Sequence, residues 1–164
     1  MTCPGSNAKL ASGVAPLGRY MDEGLNLALG TDGAARNNAL DMFREMYLAC
    51  VLQKLREEDA AACPAEKVLE MACRGSALAM GLTGCDCLAP GKQADMIVID
   101  LHRPNMRPVA SAVKNLVYSG SKEDVALTMV AGKVLYEKGE FFVGEDPEKI
   151  IAKCEALFTE IRDR

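Results

Sequence analysis

The stretch "LNLALGTDGAARNNALDMF", Leu25–Phe43, decides how the chain is read. An apolar run, Leu25 to Leu29, stops at Gly30-Thr31-Asp32-Gly33, crosses a turn of small residues and passes into a helical pattern. Near-continuous apolar character marks a strand buried on both faces, as in parallel sheets. A carboxylate directly after such a strand stands where α/β sheets and barrels keep their chemistry. Two readings of Asp32 fit the spacing. It can ligate a divalent cation, or act as general base toward a metal-bound water. Equally, it can be a turn aspartate that accepts from the amides of Gly33 and Ala34.

Working outward, Thr2–Gly13 is rich in Pro, Gly, Ser and Asn and reads as loop, with a strand's tail at its start. Pro16–Glu23 reads as a short helix closed by Gly24. Asn37 and Asn38 are expected N-caps of a helix reaching about Glu58, with Leu40, Phe43, Met46, Tyr47, Cys50 and Val51 at helical spacing. A second helix starts at Pro64 and ends before Gly81. The pattern changes near Gly84. "ADMIVIDL" is expected as a strand and "VKNLVYSG" as another. "ALTMVAGKVLYEKGE" reads as a hairpin turning at Ala131-Gly132-Lys133. A closing amphipathic helix, Pro147 to Arg162, has Ile150, Ile151, Cys154, Leu157, Phe158 and Ile161 on one side. The expected organisation is strand–helix units over 1–83, a small β-structure over 84–145 and a C-terminal helix over 146–164.

Composition narrows the function classes. The chain has 164 residues, 49% of them hydrophobic and 26% charged, which fits one well-buried domain and argues against disorder. A net charge of −4 offers no electrostatic footprint for nucleic acid or an anionic membrane. No apolar run approaches the roughly 20 residues of a membrane span. The start lacks the charged and apolar blocks of a secretory signal. Seven cysteines without regular spacing are expected as reduced thiols, which points to a cytoplasmic protein.

Other candidate groups carry bland readings beside sharp ones. Cys85 and Cys87 resemble half a zinc site, or a turn with two incidental thiols. Ser6, Asn7 and Lys9 can line a pocket, or satisfy loop backbone. His102, the only histidine, reads as a loop residue rather than a metal ligand. Met42, Met46, Met71 and Met80 read as core filler. Arg36 can bind an anion beside Asp32, or be surface charge.

The order of these pieces carries more than any one. "TCPGSNAKLASGVAPL", "LNLALGTDGAARNNALDMFREMYLACVLQK" and "GKQADMIVIDL" together closely resemble the C-terminal part of amidohydrolase-superfamily deaminases. Within them the chain is most similar to the 5-methylthioadenosine/S-adenosylhomocysteine deaminases and their chlorohydrolase-like relatives. The specific pieces are Ser-Asn-x-Lys-Leu, Gly-Thr-Asp-Gly-Ala and Ala-Asp-x-x-x-x-Asp. The resemblance implies an α/β fold: the C-terminal fragment of a (β/α)8 amidohydrolase barrel, followed by part of a small β-sandwich and a closing helix.

It also implies chemistry. A divalent metal, usually zinc, sits at the mouth of such a barrel, and its water attacks a C–N centre of a purine-like ring to release ammonia. Asp32 matches the family's catalytic and metal-binding aspartate, and Gly30, Thr31 and Gly33 match the turn that holds it. Arg36 stands at a substrate-binding position where serine is common, and Thr2 where histidine is common. The family's His-x-His pair, its further histidines and its glutamate are expected before Met1, since such a barrel takes about 250 residues. Three expectations follow: a piece of a zinc-dependent deaminase, inactive alone; one half of a split enzyme, completed by a missing barrel half; or a non-catalytic interaction module. Self-association into a homo-oligomer, by shared strands, is expected to cover the open edges.

Overall fold

The computed structural model describes residues 1–163, so residue 164 of the expected closing segment lies outside the described residues. Among the described residues, six α-helices precede a four-stranded antiparallel sheet, a seventh lies between its first two strands and an eighth follows it.

Thr2 and Leu29 form one parallel bridge, in which Thr2 N donates to the Ala28 carbonyl and Gly30 N to the Thr2 carbonyl, both at 2.9 Å. The expected strand over Leu25–Leu29 is therefore reduced to this bridge. Side chains hold the rest of it against a helix. Asn26 Nδ2 donates to the Gly75 carbonyl at 3.0 Å, and Leu29 N donates to Ser76 Oγ at 3.2 Å. Leu29 is buried while Leu25 is 52% exposed, so the run is covered at one end only.

Helix α1, Pro4–Lys9, occupies the segment expected as loop. Its small polar residues have weak helix propensity, so a tertiary contact supplies what the local sequence lacks. That contact is Gly5 N donating to the Glu45 carboxylate at 2.8 Å. Helix α2, Leu17–Asp22, falls where Pro16 and Gly24 place it. It is tied down by Gln53, which accepts from Leu17 N at 3.0 Å and donates to the Ala15 carbonyl at 2.7 Å.

Helix α3 is one turn, Ala34–Asn37, and Asn38 ends it with φ of 64°. Asn37 and Asn38 are not N-caps. Helix α4, Met42–Glu57, is capped by Asp41, whose carboxylate accepts from Phe43 N and Arg44 N. The second expected helix is composite: α5, Ala65–Glu70, a π-helical turn over Met71–Gly75, and α6, Ser76–Ala79. A Cβ at Gly75 would stand 2.0 Å from the Leu27 carbonyl oxygen. Only glycine lets the helix approach that backbone so closely.

The main core joins Leu17, Leu29, Phe43, Met46, Ala49, Cys50, Cys63, Ala65, Val68 and Met71 to Val117. Val117 belongs to α7, Ala112–Tyr118, which replaces the strand expected in "VKNLVYSG". Val113, Leu116 and Val117 recur at helical spacing, Ser111 caps the first turn, and all three pack on this core. Among the expected methionine fillers, Met46 and Met71 are buried, but Met80 is exposed.

Strands β1 (Met96–Ile99), β2 (Val125–Val130), β3 (Lys133–Glu137) and β4 (Glu140–Phe141) pair in sequence order. The β2–β3 turn is Ala131-Gly132, with φ of 51° and 77°. Positive φ at both positions is the primed turn that matches strand twist. Asp95 buckles it from outside, its carboxylate accepting from Ala131 N at 2.6 Å. Helix α8, Pro147–Arg162, closes the described chain, and Ile150, Ile151, Leu157, Phe158 and Ile161 on it are all exposed.

Candidate functional site

Asp32 follows the bridged residue Leu29 by three positions and sits in the left-handed region, φ 60°. A non-glycine residue holds that conformation at a cost, so the surrounding contacts must impose it. Two donors converge on its carboxylate. Ser6 Oγ, from α1, donates to Oδ2 at 2.7 Å, and Gly33 N donates to Oδ1 at 2.7 Å. The Thr31 hydroxyl donates to the Asp32 carbonyl at 3.1 Å. The Ser6 hydroxyl first, then the Gly33 N–H, and more weakly the Arg36 charge, hold the Asp32 carboxyl below the usual carboxylate range. An exposed carboxylate in this state is ionised at neutral pH and faces outward with lone pairs to spare.

Ser6 itself is buried, 2% exposed, so its hydroxyl is a fixed fitting of the turn. Beside it, Asn7 Nδ2 donates to Thr2 Oγ1 at 3.4 Å, and Lys9 Nζ donates to Asn38 Oδ1. The Ser-Asn-x-Lys run thus braces the bridge, the Asp32 turn and the end of α3. Arg36 is exposed on α3. Cys3 lies nearby as a thiol: burial, together with the charges of Asp32 and Glu45, pushes it up, so it offers no ready thiolate.

Asn37, expected as an N-cap, and Glu45, not singled out in the sequence, stand directly behind the site. Asn37 Nδ2 donates to the Thr31 carbonyl at 2.5 Å and to Glu45 Oε1 at 2.8 Å. Glu45 is fully buried. The available signal was positional, since Glu45 and Gln53 fall on the same helical column as the buried Ala49.

The other candidates are not brought to Asp32. His102 is an exposed turn residue, with Nδ1 2.8 Å from the Arg107 guanidinium. Cys85 donates weakly to the Leu82 carbonyl at 3.8 Å, and all seven cysteines are free thiols. Burial pushes the Cys63 thiol up to about 11. Among the described residues, no group of three or more His, Cys, Asp or Glu side chains could hold a metal ion. A catalytic zinc needs about three protein ligands. The donor set present here, one outward carboxylate, does not fit such an ion by itself.

Comparison with known proteins places this geometry in a family. The sequence pattern of the amidohydrolase family matches residues 1–135. The chain is 44% identical, over 160 residues, to a 5-methylthioadenosine/S-adenosylhomocysteine deaminase from Nitratidesulfovibrio vulgaris, covering 98% of this chain and 34% of that protein. It is 42% identical to a 5'-deoxyadenosine deaminase from Methanothermobacter thermautotrophicus, covering 96% of this chain and 36% of that protein. An adenosine deaminase from Xanthomonas campestris, solved with bound zinc, superposes with a TM-score of 0.94 at 35% identity, covering 99% of this chain and 37% of that one. The zinc complex of an atrazine chlorohydrolase from Arthrobacter aurescens gives 0.87 at 27% identity, covering 94% of this chain and 34% of that one. The chain spans about a third of the length of the relatives it matches. On the family pattern and the mixed α/β fold with its small antiparallel sheet, this chain belongs to the amidohydrolase family.

Proposed function

We propose that the chain furnishes the Asp32 corner of a deaminase-type hydrolytic site acting on a C–N bond of an adenosine-like purine. The observation that carries this reading is the Asp32 turn: an ionised carboxylate, oriented by Ser6 Oγ and Gly33 N, after a bridged apolar run in a chain of this family. In such a site Asp32 is the proton acceptor for the attacking water and the single carboxylate this chain offers to a divalent metal. Arg36, exposed on α3, sets a cation near the Asp32 carboxylate, at the position assigned to substrate binding.

The described residues gather no further ligands around Asp32, so catalysis is assigned to an assembly in which another polypeptide segment brings histidines to the same site. The relatives' names, together with the length and identity of their matches, support an adenosine-like substrate.

The test is ammonia release from 5-methylthioadenosine and S-adenosylhomocysteine, measured with zinc present. The chain alone should release none. Addition of a polypeptide carrying the histidine-bearing part of the fold should produce turnover. Asp32→Asn in the mixture should lower kcat by about 10²–10⁴ fold, the range of a general base. Undiminished turnover with Asp32→Asn would refute the role given to Asp32.

A further inference from the structure

We propose that Glu45 is the positioning residue of the Asp32 turn, its buried carboxylate clamping the two arms of backbone that hold Asp32 in place. The inference deepens the reading of Asp32 as the functional carboxylate and rests on it.

The first arm is α1. Glu45 Oε2 accepts from Gly5 N at 2.8 Å, and the next residue, Ser6, donates to Asp32 Oδ2. The second arm is the turn itself. Glu45 Oε1 accepts from Asn37 Nδ2 at 2.8 Å, and the same amide donates to the carbonyl of Thr31, the residue before Asp32. One carboxylate on α4 therefore fixes the side-chain donor to Asp32 and the peptide that precedes it. Asp32 needs both, because its φ of 60° is unfavourable without outside support.

Packing alone does not account for Glu45. An apolar side chain of similar volume would fill a core position, and a buried charge is costly unless fully hydrogen-bonded. What an apolar side chain cannot do, and the Glu45 carboxyl group does, is accept with two oxygens from donors on two separate segments.

Asn37 shows that the arrangement is directional. Both hydrogens of its amide are used, while its Oδ1 is a buried side-chain atom with no hydrogen-bond partner. Turning the amide over would set that oxygen against two acceptors. The unpartnered oxygen is the cost of aiming both donors at Thr31 and Glu45. Gly5 shows that the approach is tight: a Cβ there would lie 2.3 Å from Glu45 Oε1. The helix reaches the carboxylate because residue 5 has no side chain.

The experiment reads the turn directly, by nuclear magnetic resonance on the isotope-labelled chain. The backbone carbon shifts of Asp32 report its left-handed conformation, and the exchange rate of the Gly33 amide reports its bond to Asp32 Oδ1. Glu45→Gln keeps the volume but turns an NH2 group toward one of the two donors. It should move the Asp32 shifts away from left-handed values and speed Gly33 exchange about tenfold, as loss of one hydrogen bond allows. Gly5→Ala, which displaces the carboxylate without changing its charge, should do the same. Met46→Ala, a purely apolar core change, should lower stability and leave both signals in place.

Signals unchanged in a folded Glu45→Gln chain would overturn the proposal. Should that variant not fold, Gly5→Ala decides by the same readings. If neither folds, the unsubstituted chain decides. Slow exchange of the Gly5 amide upholds the clamp, and exchange at the rate of an open helix start overturns it. These readings need neither metal nor turnover. A failed clamp therefore leaves the role of Asp32 standing, and a failed Asp32 assignment leaves the clamp measurable.

Discussion

Residues 1–83 and residues 84–163 solve the burial problem in different ways. Every member of the main core cluster except Val117 comes from the first region. The first region also buries Ser6, Asn37, Glu45 and Gln53, whereas Asp124 is the buried polar residue of the second. In the second, the sheet is mostly half-buried and α8 presents an exposed apolar side, with Phe158 66% exposed. The contrast teaches where precision is kept. Side chains that orient Asp32 sit in a closed interior, held by hydrogen bonds across 26 and 40 positions of sequence. The second region is built around a tight hairpin and a capped helix, each set by neighbours in sequence, with β1 added to the hairpin as a third strand.

The sharpest way to break this comparison is Met46→Ala. Emptying a 4% exposed position of the first region should cost about 3 kcal/mol, read as a lower urea midpoint. Gly75→Ala comes next. The added methyl meets the Leu27 carbonyl, and a rigid backbone contact of this kind should cost about 2 kcal/mol by the same measurement. Asp41→Ala removes the cap that α4 uses in place of the expected asparagines and should cost about 1 kcal/mol.

The second region should answer to pH through Asp95. The Ala131 N–H and the Gln93 amide lower its carboxyl below the ordinary value. A group with a depressed folded-state pKa stabilises above its unfolded value, about 3.9, and that contribution is lost as pH falls through the folded one. The hairpin amides should therefore loosen in strong acid, and Asp95→Asn should remove that dependence in a hydrogen-exchange series. The smallest effect should come from the tail: Phe158→Ala changes stability by less than about 0.5 kcal/mol, because little contact is lost at an exposed position.

Legibility in the sequence follows the same division. The hairpin is readable because Ala131-Gly132 supplies a primed turn between two apolar runs, and α2 because Pro16 and Gly24 bracket it. Helix α7 is misread because Val113, Val117 and Tyr118 favour strand by type while Val113, Leu116 and Val117 repeat with helical period. Helix α1 is invisible locally, since Pro-Gly-Ser-Asn is turn chemistry and its anchor, Glu45, lies 40 residues on. At the site, the glycine turn around Asp32 is legible, and the Ser-Asn-x-Lys cluster is legible as polar side chains bonded to neighbouring segments. The clamp is not, because Glu45 sits among charged and apolar neighbours in "MFREM" and looks like any solvated helix position.

The most direct test of the account is the metal content of the purified chain after exposure to zinc and dialysis without chelator, read by mass spectrometry. One outward carboxylate predicts zinc at background, the same for the unsubstituted chain and for Asp32→Asn. Near-stoichiometric zinc that disappears with Asp32→Asn would contradict it, because the chain would then hold a complete site around that residue.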